Sequence, residues 1–314
     1  MTSTLVSVVV VTHNSPQWVG RCLQALVVDA RPTVPIEVVV VDSGSDQPTL
    51  DVLDRWEPRL DALVRVENVG FARGCNLGVS RSTGTHVLLL NPDAVVQPGC
   101  VDAILGALER DPGAGIMGGR TLRPDGTVDP SSCWGAPTLW SWTCFATGLS
   151  TAFRRSRIFD PESLGRWERD TARRVDVVTG CLLLTTRETW DRLRGLDPDY
   201  FMYGEDADLS LRAAEAGLHP AITPDAVAVH AVGASSSRKP HKTRLLMTGK
   251  ATLAHKRWSP RRAAVGVRLL YLGVGLRAAG EVLRRSADPS WRPLWVDRSW
   301  LHGWVGRDAL SRTR

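Results

Sequence analysis

Near its start the chain carries an almost unbroken run of β-branched residues, Val6-Ser7-Val8-Val9-Val10-Val11, which stops at Thr12-His13-Asn14. A strand with one wet face would alternate polar and apolar residues. This run does not, so it reads as a strand buried on both faces. Such a strand needs cover on each side, and the next eighty residues supply it. A helical stretch spans roughly 17–28. A second buried strand, Glu37–Val41, ends at Asp42-Ser43-Gly44. A helix covers about Pro48–Trp56, and a short strand lies near Leu63–Val66. Gly70–Ser80 begins as a loop and becomes a helix. A fourth strand, His86–Leu90, ends at Asn91-Pro92-Asp93. Strands alternating with helices predict an α/β fold, a mostly parallel Rossmann-like sheet flanked by helices. Ligands of such sheets bind beyond the carboxyl ends of the strands. Three of those ends carry polar residues here: Thr12 and Asn14, Asp42, and Asn91 with Asp93.

Beyond residue 95 the pattern weakens. Val95 to about Gly119 reads as one helix and a turn. Residues 120–174 hold aromatics (Trp134, Trp140, Trp142) and an arginine-rich stretch (Arg154, Arg155, Arg157) without clear periodicity. Asp176–Thr185 is a strand interrupted at Gly180-Cys181, and Arg187–Leu193 a helix. Tyr203–Leu218 is a loop leading into a helix, and Ala226–Val229 a strand ending at His230.

A hydrophobic share of 43% with 23% charged residues excludes wholesale disorder. The net charge of +6 conceals a split. Through Val229 there are 21 Arg, no Lys and 29 Asp or Glu, a net of −8. From His230 onward 14 Arg and 4 Lys face 4 acids, a net of +14. An acidic domain followed by a basic segment points to an anionic partner. Nucleic acid is disfavoured, because no recognition motif accompanies the charge. A membrane surface suits the five tryptophans (258, 291, 295, 300, 304) set among these arginines; the alternative is that they pack on folded protein. Arg268 and Arg277 stand about 180° apart on one helix, so a single docking face requires a break near Gly273–Gly275 or an arginine that pairs or snorkels. No window of about 18 apolar residues is free of charge, so no spanning helix is expected. The N-terminal run reads as a strand, not a signal peptide. Six scattered cysteines without a C-x-x-C pair fit reduced thiols in a cytosol.

Asp42, Asp93, Asp206 and His230 suit transfer of a group from a nucleotide diphosphate. That chemistry needs a divalent cation at the pyrophosphate and a base for the acceptor. A strand-end carboxylate such as Asp93 suits Mg²⁺ or Mn²⁺, with His230 as an added ligand. Asp206 stands where a helix begins after Gly204 and suits a general base.

Seven motifs then occur in order: SVVVVTHNS (7–15), VVDSGSD (40–46), NVGFARGCNLG (68–78), LNPDA (90–94), TGCLLL (179–184), FMYGEDADLSLR (201–212) and HAVGAS (230–235). Over about residues 5–240 the chain resembles family 2 glycosyltransferases of GT-A fold, most of all their rhamnosyltransferase-like branch. The resemblance implies that Thr12 and Asn14 line a nucleotide pocket and that Asp42 hydrogen-bonds the pyrimidine. It implies that Gly70, Arg73 and Asn76 lie along the nucleotide. Asn91 and Asp93 stand where the family carries its D-x-D metal motif, Asp206 matches the catalytic base, and His230 matches a metal or pyrophosphate contact. Asn91 departs from the acid of many members and leaves one carboxylate for the metal. Glu205, Trp134 and Gly180 are assigned to the acceptor side.

The expectation is therefore an inverting, Mg²⁺- or Mn²⁺-dependent hexosyltransferase at residues 1–240, followed by a basic, tryptophan-rich helical extension at 241–314. Its donor would be a nucleotide sugar, with dTDP-L-rhamnose foremost, and its acceptor a polyprenyl-diphosphate-linked sugar or polysaccharide in cell-envelope synthesis. It would sit in the cytoplasm, peripheral on the inner membrane face. The rivals are a sugar nucleotidyltransferase and an inactive carbohydrate-binding scaffold. A nucleotidyltransferase should have a Gly-rich, basic loop after its first strand, where this chain has Thr12-His13-Asn14-Ser15-Pro16. Intact Asp93, Asp206 and His230 speak against the scaffold.

Overall fold

The computed structural model describes residues 4–231 and 239–304, so Val232–Ser235 of the seventh motif lie outside the described residues. The chain forms two compact units. One comprises Met1–Trp134, Glu168–Pro198 and Leu209–Ser235. The other comprises Gly135–Trp167, Asp199–Asp208 and Ser236–Arg314. The segment expected as a C-terminal extension thus shares its unit with two earlier stretches of chain.

In the first unit β1 (Val6–Thr12), β2 (Ile36–Ser43), β3 (Ala62–Val66) and β4 (His86–Leu90) pair in parallel, in the order β3-β2-β1-β4. Helices α1 (Pro16–Gln24), α2 (Gln47–Trp56) and α3 (Phe71–Ser80) make the crossovers. Every residue of β1 is buried, as its unalternating sequence requires. Gly74 and Gly78 let α3 lie directly on that strand. A Cβ on either would stand 2.7 Å from Val11 or 2.5 Å from Val9.

Past β4 the sheet becomes mixed. It is built from β5 (Ala94–Val96), β6 (Ile116–Leu122), β11 (Leu182–Thr186) and β12 (Ala221–His230), in the order β4-β11-β6-β12-β5. β11 runs antiparallel to β4 and β6, while β12 runs parallel to β6 and antiparallel to β5. Short β7 (Val128–Asp129) pairs with β6 and β9 (Arg173–Arg174) with β12. β8 (Cys133–Trp134) and β10 (Val177–Val178) form a separate ladder. Helices α4 (Cys100–Arg110) and α7 (Arg187–Leu193) complete the unit. The sequence reads β6 only as a turn, because Gly118-Gly119 has poor strand propensity. The structure shows why glycine is needed. A Cβ on Gly118 would come 2.6 Å from Val178 Cγ1, and one on Gly119 would come 2.5 Å from the Ala226 carbonyl oxygen. All six cysteines are buried and none forms a disulfide.

The second unit is helical: α5 (Leu139–Thr147), α6 (Leu149–Ala152), α9 (Lys239–Arg257), α10 (Pro260–Leu283) and α11 (Arg292–Val296). Their core is Trp142, Met247, Ala251, Leu270, Val274, Leu294 and Trp300. Helix α8 (Glu205–Glu215) has its first turn in this unit and its remainder in the other. The tryptophans find partners within this unit. Trp258 packs on Trp142 at 4.4 Å between centroids, and Trp295 stacks on Tyr271 at 4.2 Å. Trp291 meets Phe145, Trp304 meets Phe201, and the Trp300 indole donates to the Leu294 carbonyl. Helix α10 also runs unbroken through Gly273–Gly275. By length and composition α10 alone among the described residues is apolar enough to cross a membrane, which a search for charge-free windows passes over. Its glycines take in aromatic side chains from α5, Gly266 beside Trp142 and Gly273 beside Phe145.

Gly119→Ala should lower stability by about 1–3 kcal/mol, since backbone as well as side chain must yield. Gly106→Ala on α4 meets only the flexible end of Arg110 and should be neutral or stabilising by up to about 1 kcal/mol. Urea unfolding midpoints of the two variants check the contrast.

Candidate active site

In the first unit, polar side chains gather at the carboxyl ends of β1, β2 and β4. Thr12 and Asp42 are register partners at the last rung of the β1–β2 ladder, and both are buried. One oxygen of Asp42 accepts a long 3.4 Å bond from the Ser45 N–H, closing the Asp-Ser-Gly-Ser turn. Its other oxygen, Oδ1, has no hydrogen-bond partner among the described residues, and neither do Thr12 Oγ1 and Ser15 Oγ. A buried polar atom left unpaired costs about 1–3 kcal/mol, so three together mark a place where a polar ligand belongs. Capping of α2 falls to Asp46, whose side chain accepts from Thr49.

Other residues of the same motifs build the walls. Asn14 adopts a left-handed backbone (φ 47°), and its side-chain oxygen accepts the Asp46 N–H at 2.7 Å. His13, given no role from sequence, binds the Ser43 carbonyl through Nδ1 at 2.8 Å. Gly70, at φ 80°, turns the chain into α3. Asn76 engages the backbone of Leu196 at both ends of its amide, at 2.7 and 3.0 Å, and Arg73 Nε donates to the Pro198 carbonyl at 2.9 Å. These two side chains hold the 195–198 loop. The Asn91 N–H donates to the Cys181 carbonyl, joining the end of β4 to the start of β11. Gly180 packs against the Phe71 ring, and Trp134 lies on the β8–β10 ladder.

Asp93 and His230 come together as expected, with a third group that sequence reading missed. His230 Nδ1 lies 2.9 Å from Asp129 Oδ2, and Nε2 lies 3.4 Å from Asp93 Oδ1. All three residues are buried, and the Ala231 N–H donates to the Asp93 carbonyl beside them. Burial opposes charge on the imidazole. The adjacent Cys181 sulfur and the Asp129 and Asp93 carboxylates outweigh it and push His230 up to about 12. Burial likewise works against Asp129, but His230 and Ser131 hold its carboxyl below the usual range. Burial, more than its neighbours, raises the Cys181 thiol.

This geometry fits a metal ligand pair. With a cation bound, the ring would give up its Nε2 proton, and a carboxylate on Nδ1 would then fix the tautomer and aim the free nitrogen, as it does for many metal-binding histidines. Asp129 is that carboxylate, and Nε2 is aimed at the Asp93 oxygen. Among the described residues no cluster of three or more His, Cys, Asp or Glu could hold a metal by itself. A cation held by Asp93 and His230 would take its remaining ligands from phosphate and water.

In the second unit Gly204, at φ 100°, leads into α8. Glu205 is buried and its Oε2 has no hydrogen-bond partner among the described residues. Burial first, and the charge of Asp206 second, push its carboxyl well above the ordinary range. Asp206 is only half-buried, with Oδ1 accepting the Ala207 N–H at 2.8 Å. Desolvation thus disfavours the charged form of Glu205, and Asp206 is the more exposed carboxylate of the pair.

Residues 7–165 match the profile of glycosyl transferase family 2. The chain belongs to this family. It is 28% identical over 252 residues to the N-acetylglucosaminyl-diphospho-decaprenol L-rhamnosyltransferase of Mycobacterium tuberculosis, spanning 74% of this chain and 78% of that one. It is 28% identical over 233 residues to an O-antigen biosynthesis protein of Myxococcus xanthus, spanning 73% of this chain and 17% of that one. Its fold is similar to that of a mannosyltransferase from Pyrobaculum calidifontis solved with GDP-Man and Mn²⁺ (TM-score 0.55, 19% identity, 94% of this chain and 84% of that one). This family 2 enzyme is a glycosyltransferase with the GT-A fold.

The pH dependence of the buried triad has a definite sign. His230 is raised, so its stabilisation is complete below 6.5, its ordinary value, and is lost as pH climbs toward about 12. Asp129 is lowered, so its contribution is present above 3.8 and lost on acidification. The gap in urea midpoint between wild type and His230→Gln should therefore be larger at about pH 6 than at about pH 9.

Proposed function

We propose that this glycosyltransferase moves L-rhamnose from dTDP-rhamnose onto a polyprenyl-diphosphate-linked sugar, with inversion and with a divalent metal, in cell-envelope glycan synthesis. The Asp129–His230–Asp93 chain carries the reading, because it brings a ring nitrogen within 3.4 Å of a strand-end carboxylate oxygen. The Mycobacterium tuberculosis relative supports L-rhamnose and the polyprenyl-diphosphate-linked acceptor by name, and the Pyrobaculum calidifontis enzyme supports Mn²⁺ as the kind of cation.

On this reading Asp42 Oδ1 accepts an N–H from the pyrimidine, and the unpaired Thr12 and Ser15 hydroxyls serve the nucleotide. Asp93 and His230 would hold the cation, which when bound supplies positive charge to the departing diphosphate. Asn91 leaves Asp93 the sole carboxylate of its motif. Asp206 takes the proton of the acceptor hydroxyl as that oxygen attacks the anomeric carbon. The bond from that carbon to the diphosphate oxygen breaks on the opposite face, giving inversion. Glu205, whose charged form is disfavoured by burial, is left to the acceptor side with Trp134 and Gly180. The acceptor lipid places the enzyme on the inner membrane face from the cytoplasm.

The direct test is transfer of rhamnose from dTDP-rhamnose to a polyprenyl-diphospho-GlcNAc acceptor by the purified protein with Mg²⁺ or Mn²⁺. Asp206→Asn should lower kcat by about 10²–10⁴-fold with donor KM little changed; a wild-type rate would remove Asp206 from the base role. Asp42→Ala should instead raise donor KM about tenfold, the worth of one buried hydrogen bond to a charged group.

A further inference from the structure

Helix α10 carries apolar residues on every side, and these call for cover. Within its unit only one side has it. Ala263, Gly266, Leu270, Gly273, Val274 and Ala278 are buried there. The opposite side presents Val265, Leu272, Leu276 and Leu283, which are 45%, 56%, 49% and 84% exposed. Intervals of seven, four and seven place these four within about 40° of one another around the helix. They form one stripe along nearly its whole length.

The charges on this segment are as one-sided as its exposure. Arg261, Arg262 and Arg268 are exposed near its start, and Arg284 and Arg285 follow its end. The single acid between residues 260 and 285 is Glu281, and its carboxylate accepts the backbone N–H groups of Ser290, Trp291 and Arg292. Arg277 is also withdrawn. It donates to the Phe145 and Gly273 carbonyls and to Thr151, and its guanidinium lies 3.7 Å from the Phe145 ring centre. The two arginines on opposite sides of α10 thus have different duties: Arg277 fastens the helix to its unit, and Arg268 stands on the exposed side.

We propose that this stripe of α10 is a docking surface for an anionic phospholipid membrane, with the helix lying in the plane of the interface. Leucines at the acyl boundary and arginines at the phosphates fit such a surface. A second copy of the chain fits poorly, because pairing the stripe with itself would set arginines against arginines. A spanning helix fits poorly as well, since it would pull Arg277 from its partners on α5 and α6. The proposal deepens the membrane-face reading given above, but it rests on exposure and charge and not on the reaction.

The test is flotation of the full chain with two vesicle types, phosphatidylcholine alone and phosphatidylcholine with an equal part of phosphatidylglycerol. The expected result is binding to the anionic vesicles, much weaker binding to the neutral ones, and release by high salt. The double variant Leu272→Glu with Leu276→Glu should lower partitioning about tenfold or more. Arg261→Glu with Arg262→Glu should lower it about fivefold per residue lost, on anionic vesicles only. Unchanged unfolding midpoints would show that these variants remain folded. Equal binding to both vesicle types, no binding, or full binding by the leucine variant would overturn the proposal. So would resistance to alkaline extraction, which marks a spanning helix, or a dimer in sedimentation that the leucine variant dissolves without any vesicle binding. Transfer measured separately on a water-soluble acceptor keeps the two readings apart. Vesicle binding without transfer from any nucleotide sugar defeats the reaction and leaves the docking surface standing; transfer without vesicle binding does the reverse.

Discussion

A buried imidazole held between two carboxylates is stable only while all three partners stay in place, and the strand ends of the first unit are arranged around that demand. Removing one member of a buried charge pair costs about 3–5 kcal/mol, because the other charge is stranded. Here His230 ends β12, Asp93 sits in the turn between β4 and β5, and Asp129 ends β7. The Ala231–Asp93 backbone bond and the His230–Ala94 register pair lock two of these elements at the same point. The carboxylate proposed to meet the metal is therefore fixed by the sheet itself. The ring nitrogen facing it is selected by Asp129.

The second unit solves a different problem with similar means. Helix α10 brings an arginine to its buried side, and burial alone would disfavour that charge, lowering Arg277 to about 10. Carbonyls of Phe145 and Gly273, the Thr151 hydroxyl and the Phe145 ring supply compensation. Glycines at 266 and 273 let aromatic residues of α5 reach the helix backbone. The basic tail's charge is thus sorted into arginines that build the unit and arginines that face outward.

Much of the sheet was legible in the sequence because its first four strands announce themselves. The β-branched runs of β1 and β2, buried in parallel pairing, leave no other pattern to read, and polar residues stand at the ends of β1, β2 and β4. Asp42, Asp93 and Thr12 follow from that. Asp129 does not: it is 101 residues from His230, and no local spacing signals a partnership made by β7 pairing to β6. β6 was hidden by Gly118-Gly119, whose purpose is tight packing that only the folded sheet reveals. The tryptophans after residue 257 left two readings open for the opposite reason. Tryptophan beside arginine has the composition of a membrane interface, but Trp258, Trp295 and Trp300 find aromatic or carbonyl partners inside the unit.

The strand-end carboxylates are proposed to form a site for a metal-bound nucleoside diphosphate. Calorimetry of dTDP binding, with and without Mn²⁺, tests it most directly. The account predicts tight binding only when Mn²⁺ is present, with Asp93→Asn abolishing the metal's contribution and Asp129→Asn weakening it about 10–100-fold through the misdirected His230 ring. Binding of equal strength with and without Mn²⁺, unchanged in Asp93→Asn, would contradict it.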